Sequence, residues 1–273
     1  MVKTGKYFEF NKQVWDFYGK NKRDFVWRQA PYDPYKILVS EIMLQQTQVG
    51  RVQDKFVKFI DRFPTVTDLA QAAFGEVLLY WHGLGYNRRA LSIHASSKKI
   101  VQEFHGIVPS DPVLLQRFPG IGTNTASSIC AFSFNKPVVF VETNIRAVYI
   151  HTFFSESNIV SDKELLPLIE ETLDRTNPRE WYYALMDYGV LIKKLFKNPS
   201  RKSKHYTTQS RFEGSERQIR GMILRLLLEH GRLTGDDLFL LIPREEKRIE
   251  QNLYALCDEG FVLKHLNHFM LLA

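Results

Sequence analysis

The chain has 273 residues, 44% of them hydrophobic, which is enough for one large domain or two smaller ones and excludes wholesale disorder. Its formal net charge of +7 favours a polyanionic partner, of which nucleic acid is the commonest. The two cysteines, Cys130 and Cys257, are too few for a four-thiolate cluster or a structural zinc site, and we expect free thiols in a reducing compartment.

The N-terminal stretch MVKTGKYFEF has no apolar signal core, and no run of 18 apolar residues occurs in the sequence. We therefore expect no contact with a membrane and a soluble, cytoplasmic protein.

The first clear helical pattern covers residues 35–44, with Asp33-Pro34 as its start, and Val49 extends the apolar stripe by one turn. A polar run interrupts this pattern, since consecutive glutamines are rare in a core. It is either a break between two helices or a loop that enters duplex DNA and fills the gap left by a flipped base. The run consists of Gln45, Gln46, Thr47 and Gln48.

Residues 115–126 read LQRFPGIGTNTA, a helix that runs through Pro-Gly-Ile-Gly directly into a second helix. Glycine allows a tight turn with positive φ and lets backbone N–H groups approach a phosphate, to which the second helix adds its N-terminal dipole. This pattern predicts a helix-hairpin-helix that holds one DNA strand by its backbone, without regard to base sequence. We expect Gly120 and Gly122 to bring these backbone N–H groups to the phosphate.

Two carboxylates, Glu41 and Glu142, lie among apolar neighbours, where burial would raise their pKa values. Cleavage of an N-glycosidic bond needs such a pair, because one acid protonates the leaving base while the other carboxylate stabilises the sugar cation and orients water. The alternative for each residue is that it caps a helix, and Thr143-Asn144 after Glu142 fit a cap.

Further signals mark the second half of the chain. Ser161 with Glu164 predicts a capping box that opens a helix to about Leu173, and Pro178 marks the next helix start. Seven Lys/Arg and no Asp/Glu lie between Lys193 and Arg211, which predicts a basic linker or arm at 196–213. The DNA contacts expected from this basic run are Lys193, Lys194, Lys197, Arg201, Lys202 and Lys204.

A different pattern begins after this basic segment. Helices are predicted at 215–230, 234–241 and 243–258, followed by two short strands at 261–263 and 268–272. Three helices and a hairpin are typical of a winged helix, although a generic small helical domain fits too. The predicted domains are thus 1–195, an α-helical domain, the linker 196–213, and 214–273.

From about Arg23 to Ile192, over half of the chain resembles the glycosylase domain of adenine mismatch glycosylases, the MutY branch of the helix-hairpin-helix (HhH-GPD) superfamily. The matching segments are Arg23-Asp24-Phe25-Val26-Trp27-Arg28, Asp33-Pro34-Tyr35, SEIMLQQTQV (40–49), RFPTVTDLA (62–70), GLGY (83–86), FPGIGTNTA (118–126), ETNIRAV (142–148) and ALMDYG (184–189).

The resemblance implies an all-α, two-lobed catalytic domain that binds duplex DNA and holds the target base between its lobes. Glu41 would be the acid that protonates the adenine ring, and Glu142 the carboxylate that supports the sugar cation. Tyr86 would wedge near the opposite base, and Gln45 and Gln46 would probe the helix stack. Phosphate would be held by Gly120, Gly122 and Thr123. The base pocket would include Arg23, Trp27, Arg28, Asn124 and Tyr183.

The chain departs from the family pattern at several positions. The family usually has Asp at the place of Glu142 and an amide or acid at the place of Tyr183, which leaves the identity of the excised base open. Asn87 stands where the pattern repeats Tyr. The cysteines of the family's iron–sulfur cluster are absent from residues 193–210, and a winged helix replaces the usual 8-oxoguanine-reading domain.

Bifunctional relatives that also nick the strand use a lysine where this chain has Asn124, so no Schiff base can form there. We expect a monomeric, monofunctional DNA glycosylase of base excision repair, associated with the nucleoid and without a metal or cofactor. Adenine opposite guanine or 8-oxoguanine is the first candidate substrate. The alternatives are thymine or uracil opposite guanine, another modified base, and a non-catalytic winged-helix DNA-binding protein.

Overall fold

The computed structural model describes residues 2–209 and 211–272, with side chains from residue 5 onward. The fold is mostly helical with one small sheet. The helices are α1 (Val2–Asn21), α2 (Pro34–Leu44), α3 (Val49–Arg62), α4 (Val66–Gln71), α5 (Phe74–Trp81), α6 (Arg88–Phe104), α7 (Pro112–Leu115), α8 (Thr123–Phe134), α9 (Thr143–Phe153), α10 (Asp162–Thr172), α11 (Pro178–Leu195), α12 (Glu216–His230), α13 (Gly235–Leu241) and α14 (Glu246–Asp258). The strands are β1 (Arg232–Thr234), β2 (Val262–His265) and β3 (His268–Leu271).

The chain forms two compact units, each assembled from separate stretches of sequence. Unit 1 comprises Met1–Glu41, Val108–Arg117 and Ile121–Thr208, and unit 2 comprises Ile42–Ile107, Phe118–Gly120 and Gln209–Ala273. Unit 2 therefore combines two stretches from the first half of the chain, 42–107 and 118–120, with the C-terminal residues. The predicted domain boundaries at 195 and 213 remain predictions.

The core of unit 1 is built from aromatic and aliphatic side chains of α1, α9, α10 and α11. Phe10, Val14 and Tyr18, one helical turn apart on α1, are all buried there. Helices α9 and α11 approach very closely at Gly189, where an added Cβ would lie 2.7 Å from the Asn144 Cβ and closer still to its carbonyl oxygen. Glycine at 189 therefore permits the contact between these two helices.

Local signals in the sequence agree with several helix starts. Asp33 caps α2, because its Oδ1 accepts a 2.8 Å hydrogen bond from the Tyr35 N–H. The predicted capping box is present, with Ser161 N–H donating to Glu164 Oε2 over 2.9 Å. Pro178 is the first residue of α11, as predicted.

One predicted element was wrong. The apolar stripe at 35–44 does not continue to Val49, because α2 ends at Leu44 and Val49 begins α3. The residues between them bend the chain, and Gln46 has a φ of +53°. The polar run is thus a break between two helices, the first of the two alternatives, and such a loop remains free to contact DNA.

The C-terminal module (residues 214–272) is winged-helix-like. Its sheet has the order β1-β3-β2 with antiparallel pairs, so the predicted hairpin gains a third strand, in which Leu233 faces Phe269. Strand β1 was not predicted, since three residues are too few to show an alternating pattern. Thr234 caps α13 in a capping box with Asp237. The last helix, α14, begins at Glu246 rather than at 243.

The basic segment (residues 196–213) begins with a docked turn rather than a free arm. Pro199–Lys202 form a 3-10 turn in which Pro199 and Ser200 are buried. The Ser200 Oγ donates to the Thr143 carbonyl over 3.1 Å, and the Val160 N–H donates to the Lys202 carbonyl over 2.8 Å. Across the described ranges, no helix combines the length and the apolar character needed to cross a membrane.

Gly189→Ala should destabilise unit 1, because its methyl group would overlap the backbone of Asn144. We expect the free energy of unfolding to fall by about 1–3 kcal/mol, measured by urea denaturation. Gly19→Ala is the matched control, since Gly19 also lies in a helix of unit 1 but has nothing within 4 Å of an added Cβ. Equal stability of the two variants would contradict the packing argument.

Candidate active site

Glu41 is a partly buried carboxylic acid on α2, held by a serine of α8. Its neighbours Leu38 and Ile42 are buried, and the Ser128 hydroxyl donates to Glu41 Oε2 over 2.5 Å. The pKa of Glu41 is raised to about 7, chiefly by burial and also by the nearby Glu142 carboxylate, while the Ser128 hydrogen bond and Arg28 oppose the shift. A pKa near 7 leaves this carboxyl group able to carry a proton at neutral pH, and a general acid acts in its protonated form.

Glu142 is the N-cap of α9. The extended residues Val138–Val141 lead into it, and its Oε2 accepts a 2.6 Å hydrogen bond from the Asn144 N–H. Capping, the alternative considered from the sequence, is what this side chain does in the structure. The cap fixes the carboxylate close enough to Glu41 to act on its charge, so capping and a role in catalysis are compatible.

A buried ionic cluster holds two of the predicted pocket residues. Asp187 on α11 is buried and accepts hydrogen bonds from Arg23 Nε (2.7 Å) and from Arg28 Nη1 (3.0 Å). Arg28 is also buried, whereas Arg23 is partly exposed. Because Arg28 influences Glu41, the cluster places a fixed positive charge beside the acid.

Tyr183 lies against this arginine. Its ring stacks on Phe132 with centroids 4.5 Å apart, and the Arg28 guanidinium sits 4.3 Å from the ring centroid. Burial, together with the nearby Glu41 carboxylate, raises the pKa of Tyr183 well above its usual value, so the phenol stays protonated. Tyr183, Arg28 and Glu41 are thus neighbours in unit 1.

Two buried polar atoms near these groups have no hydrogen-bond partner among the described residues, the Arg28 Nε and the Asn144 Oδ1. Unsatisfied buried atoms are rare and need a cause, and a bound ligand is one such cause.

Two further residues of the predicted base pocket are Asn124 and Trp27. The Oδ1 of Asn124 accepts a long hydrogen bond, of 3.4 Å, from the Val141 N–H. Trp27 is buried, stacks on Phe25 and lines a hollow of about 240 Å³ that contains none of the residues around Glu41.

The predicted hairpin has the expected turn but a short first helix. Helix α7 ends at Leu115 after four residues, and α8 begins at Thr123. Of the two glycines, only Gly120 has a positive φ, of +75°, while Gly122 is extended, so the tight turn depends on Gly120. Thr123 Oγ1 donates to Gln116 Oε1 over 2.8 Å across the turn.

A buried arginine that the sequence did not reveal shapes the glutamine loop (Gln45–Gln48). Arg89 Nη1 donates to the carbonyl oxygens of Ile42, Met43 and Gln45 at 2.5–2.9 Å, and its Nη2 donates to Thr47 Oγ1 over 2.9 Å. The Gln45 side chain donates to the Gly120 carbonyl over 3.1 Å. The loop and the hairpin tip are therefore tied together within unit 2. Gln46 and Gln48 are exposed.

The GLGY segment (residues 83–86) meets the same arginine. Arg89 Nη2 also donates to the Gly85 carbonyl over 2.9 Å. Tyr86 has a φ of +49°, and its hydroxyl accepts a 2.8 Å hydrogen bond from Arg217 Nη1 on α12. Asn87 is the N-cap of α6 and makes no side-chain capping bond. The C-terminal module thus contacts the residue expected to wedge near the opposite base.

The predicted basic contacts differ in exposure. Lys193 is partly buried, close enough to Glu142 and Arg23 to feel their charges, and burial lowers its pKa. Lys202 is partly buried as well, and its Nζ donates to the Ser155 carbonyl. The four that are exposed are Lys194, Lys197, Arg201 and Lys204.

Sequence reasoning missed Ser128, Asp187 and Arg89. Asp187 had a usable signal, because an acid in an apolar helix four residues after Tyr183 must share its buried face. Within the described part of the chain, no three His, Cys, Asp or Glu side chains cluster in a way that could hold a metal ion.

The sequence of the chain was compared with known protein families. Residues 39–173 match the model of the HhH-GPD superfamily base excision DNA repair protein, a range that includes both carboxylates and the hairpin. The chain belongs to the HhH-GPD superfamily.

The relatives of this HhH-GPD protein include two bacterial adenine DNA glycosylases. That of Buchnera aphidicola is 37% identical over 168 residues, 60% of this chain and 47% of the relative. That of Mycolicibacterium smegmatis is 35% identical over 182 residues, 66% of this chain and 62% of the relative. The chain thus spans about half to three fifths of the length of these curated relatives. Among solved structures, a thermostable thymine-DNA glycosylase matches with a TM-score of 0.65 and 25% identity, over 74% of this chain and 94% of that one.

Glu41→Gln should stabilise this HhH-GPD protein at alkaline pH. The pKa of Glu41 is about 7 in the folded chain against an ordinary 4.5, so the folded state binds more protons and the free energy of unfolding falls as pH rises between these values. We expect the variant to exceed the wild type by on the order of 2–3 kcal/mol at pH 8 and to match it near pH 4, where both side chains are neutral.

The measurement is urea denaturation of both proteins from pH 4 to pH 8.5. Glu171→Gln, an exposed change of the same charge in the same unit, is the control and should show no such pH-dependent gain. A constant difference between Glu41→Gln and the wild type across this range would be inconsistent with a raised pKa.

Proposed function

We propose that this protein is a monofunctional DNA glycosylase that excises adenine mispaired with guanine or 8-oxoguanine, hydrolysing its N-glycosidic bond. The observation that carries the proposal is the pair of neighbouring carboxyl groups in unit 1, in which Glu41 has a pKa of about 7 and Glu142 is fixed by its capping bond. The names of the two bacterial relatives support adenine as the first candidate.

Glu41 supplies the proton in the proposed reaction. Ser128 donates to Glu41 Oε2, so one carboxyl oxygen is held while the other is left to carry the proton. A ring nitrogen of the purine accepts this proton, and the base then leaves in its neutral form. Transfer to the base ionises Glu41, and the nearby Arg28 compensates the new negative charge.

Glu142 acts on the sugar. Its fixed carboxylate stabilises the oxocarbenium-like cation that forms as the bond breaks, and it orients the water that completes the hydrolysis. Glu142 has one methylene more than the usual aspartate of the family, which moves the carboxylate by roughly 1 Å and sets a distance on which the rate depends. The Asn144 backbone N–H defines where that carboxylate rests.

Tyr183 and Arg28 form one wall of the proposed base pocket. A protonated phenol stacked on Phe132 offers a flat face and a hydroxyl, in place of the two-sided amide contact that reads adenine. Thymine opposite guanine is therefore the second candidate, favoured by Tyr183 and by the likeness to a thymine-DNA glycosylase. With a pyrimidine, which has no N7, Glu41 positions the base or the water instead.

DNA binding in this proposal rests on backbone contacts. The hairpin with Gly120, Gly122 and Thr123 presents N–H groups at the start of α8, and exposed lysines of the basic segment add charge. One copy of the chain acts on each site, and Gln46, exposed at the loop tip, enters the stack. The proposed reaction uses no metal, and the two cysteines are too few for the four thiolates of an iron–sulfur cluster.

The decisive experiment is a single-turnover excision assay. Duplexes with A·8-oxoG, A·G, T·G, U·G or undamaged pairs are incubated with protein and then cleaved at abasic sites with alkali. We expect cleavage of A·8-oxoG and A·G, reduced about 10²–10⁴-fold in Glu41→Gln because the acid is lost. The rate should fall as pH rises above about 7, where Glu41 ionises. Glu142→Gln should fail likewise, whereas Glu142→Asp keeps the charge and retains more activity.

Cleavage of T·G alone would replace the first candidate with the second. No cleavage of any duplex, with DNA binding intact, would refute both and favour a binding protein or a base outside the panel.

Asn124→Lys should add strand-nicking activity to the glycosylase. The new amine would stand where bifunctional relatives carry theirs and would attack the sugar to form a Schiff base. Borohydride added during the reaction should trap a covalent protein–DNA complex with the variant but not with the wild type. Asn124→Gln, similar in length but without an amine, is the control. Trapping of the wild type would mean that another amine, such as that of Lys193, acts as a nucleophile.

A further inference from the structure

The serine that holds Glu41 has two hydrogen-bond acceptors within reach. Ser128 Oγ lies 2.5 Å from Glu41 Oε2 and 3.0 Å from the carbonyl oxygen of Thr125, three residues earlier on α8. Ser128 is buried, which shields both contacts from bulk water. A hydroxyl group carries a single proton, so Ser128 donates fully to only one of these two oxygens at a time.

The charge of Glu41 decides which acceptor receives the serine proton. When Glu41 is ionised, Ser128 donates to the carboxylate, because a hydrogen bond to a charged acceptor is the stronger one. When Glu41 is neutral, its Oε2 is a weaker acceptor, and the Thr125 carbonyl competes for the same proton. The hydroxyl group therefore stabilises the ionised form of Glu41 more than the neutral form.

We propose that Ser128 is a positioning residue of the excision reaction, whose hydroxyl group stabilises the Glu41 carboxylate that forms as the proton passes to the base. The same hydrogen bond occupies Oε2 and so keeps the reactive proton on Oε1. Ser128 acts through Glu41 and has no contact with the base itself. Its effect on the rate rests on the proposed function, because only there does Glu41 act as the acid.

No second donor duplicates this hydrogen bond. In the part of the chain that the structure describes, Ser128 is the only residue that hydrogen-bonds to the Glu41 side chain. Arg28 acts on Glu41 through its charge, since its Nη1 donates to Asp187 Oδ1 over 3.0 Å. Removal of the serine hydroxyl group therefore leaves the carboxylate without a direct donor from these residues.

Three ionisable groups face Glu41 from the elements around it. The pKa of Glu41 is raised to about 7, chiefly by burial and also by Glu142, the cap of α9. The Ser128 hydrogen bond lowers this pKa, and Arg28, at the end of a 3-10 turn before α2, lowers it less. Tyr183 on α11 stays protonated, because burial raises the pKa of its phenol. A substitution at Ser128 changes none of these three groups.

The first measurement is the titration of Glu41 itself, by ¹³C NMR of protein labelled at the glutamate carboxyl carbons. The Glu41 signal is assigned from its loss in Glu41→Gln. We expect the midpoint to rise by about one pH unit in Ser128→Ala, because the ionised carboxylate loses a donor. This titration needs neither DNA nor excision.

The second measurement is the pH profile of single-turnover excision on the duplex that the wild type cleaves. The protonated form of Glu41 is the active one, so a higher pKa extends activity to higher pH. In Ser128→Ala the fall in rate should begin about one pH unit higher than in the wild type. At low pH, where both proteins are fully protonated, the variant should be about 3-fold slower, because a weaker acid transfers its proton more slowly.

Ser133→Ala is the matched control. Ser133 is a buried serine of the same helix, and its Oγ has no hydrogen-bond partner among the described residues. This variant should keep the midpoint and the pH profile of the wild type. Should Ser128→Ala unfold, as judged by circular dichroism, Ser128→Cys provides the result. A thiol is similar in shape and only a weak donor, so the midpoint should rise there too.

An unchanged Glu41 midpoint in the Ser128 variants would overturn the proposal. A rate that falls by the same factor at every pH would overturn it as well, since a purely structural role has that effect. If the midpoint moves but the wild type cleaves no duplex, the proposed function fails while the hydrogen bond to the ionised Glu41 is supported. If cleavage requires Glu41 but its pH profile does not depend on Ser128, only the role of Ser128 fails.

Discussion

The salt bridge cluster around Asp187 is the interaction on which the candidate site depends. One buried carboxylate faces two guanidinium groups, and it joins the segment that carries Arg23 and Arg28 to helix α11. Loss of the acid would leave Arg28 buried without a counter-charge, which costs about 3–5 kcal/mol in comparable cases. The cluster also fixes the position of the Arg28 charge that acts on Glu41. Asp187 therefore both holds these segments together and influences the charge of Glu41 through Arg28.

In unit 2, Arg89 has a role comparable to that of the Asp187 cluster in unit 1. Its guanidinium group is held by backbone carbonyl oxygens rather than by a carboxylate. Burial lowers the pKa of Arg89 to about 10, so it remains charged at neutral pH. Its donors hold the end of α2, the glutamine loop and Gly85 in one arrangement. The loops expected to contact DNA are thereby kept in a fixed conformation without a core of their own, which lowers the entropy that binding must overcome.

Much of the fold could be predicted from interactions between residues close in sequence, whereas hydrogen-bond partners distant in sequence could not. Caps such as Asp33 and the Ser161–Glu164 box act within four residues, and so they are visible in the sequence. Partners such as Ser128 for Glu41, 87 residues apart, or Arg217 for Tyr86, 131 residues apart, depend on packing that no local pattern encodes. Strand β1 went unnoticed for the same reason, because only its pairing with β3 makes it a strand.

The chain order links chemistry to recognition through a single helix. Glu41 and Gln45 are separated by about one turn of backbone at the end of α2, a rise of roughly 6 Å. The loop after α2 is fixed by Arg89 and reaches the hairpin tip through Gln45. The candidate acid and the residue that begins the loop therefore follow each other closely along the chain. In the proposed function, protonation of the base and filling of the stack are thus assigned to residues about one helical turn apart in the sequence.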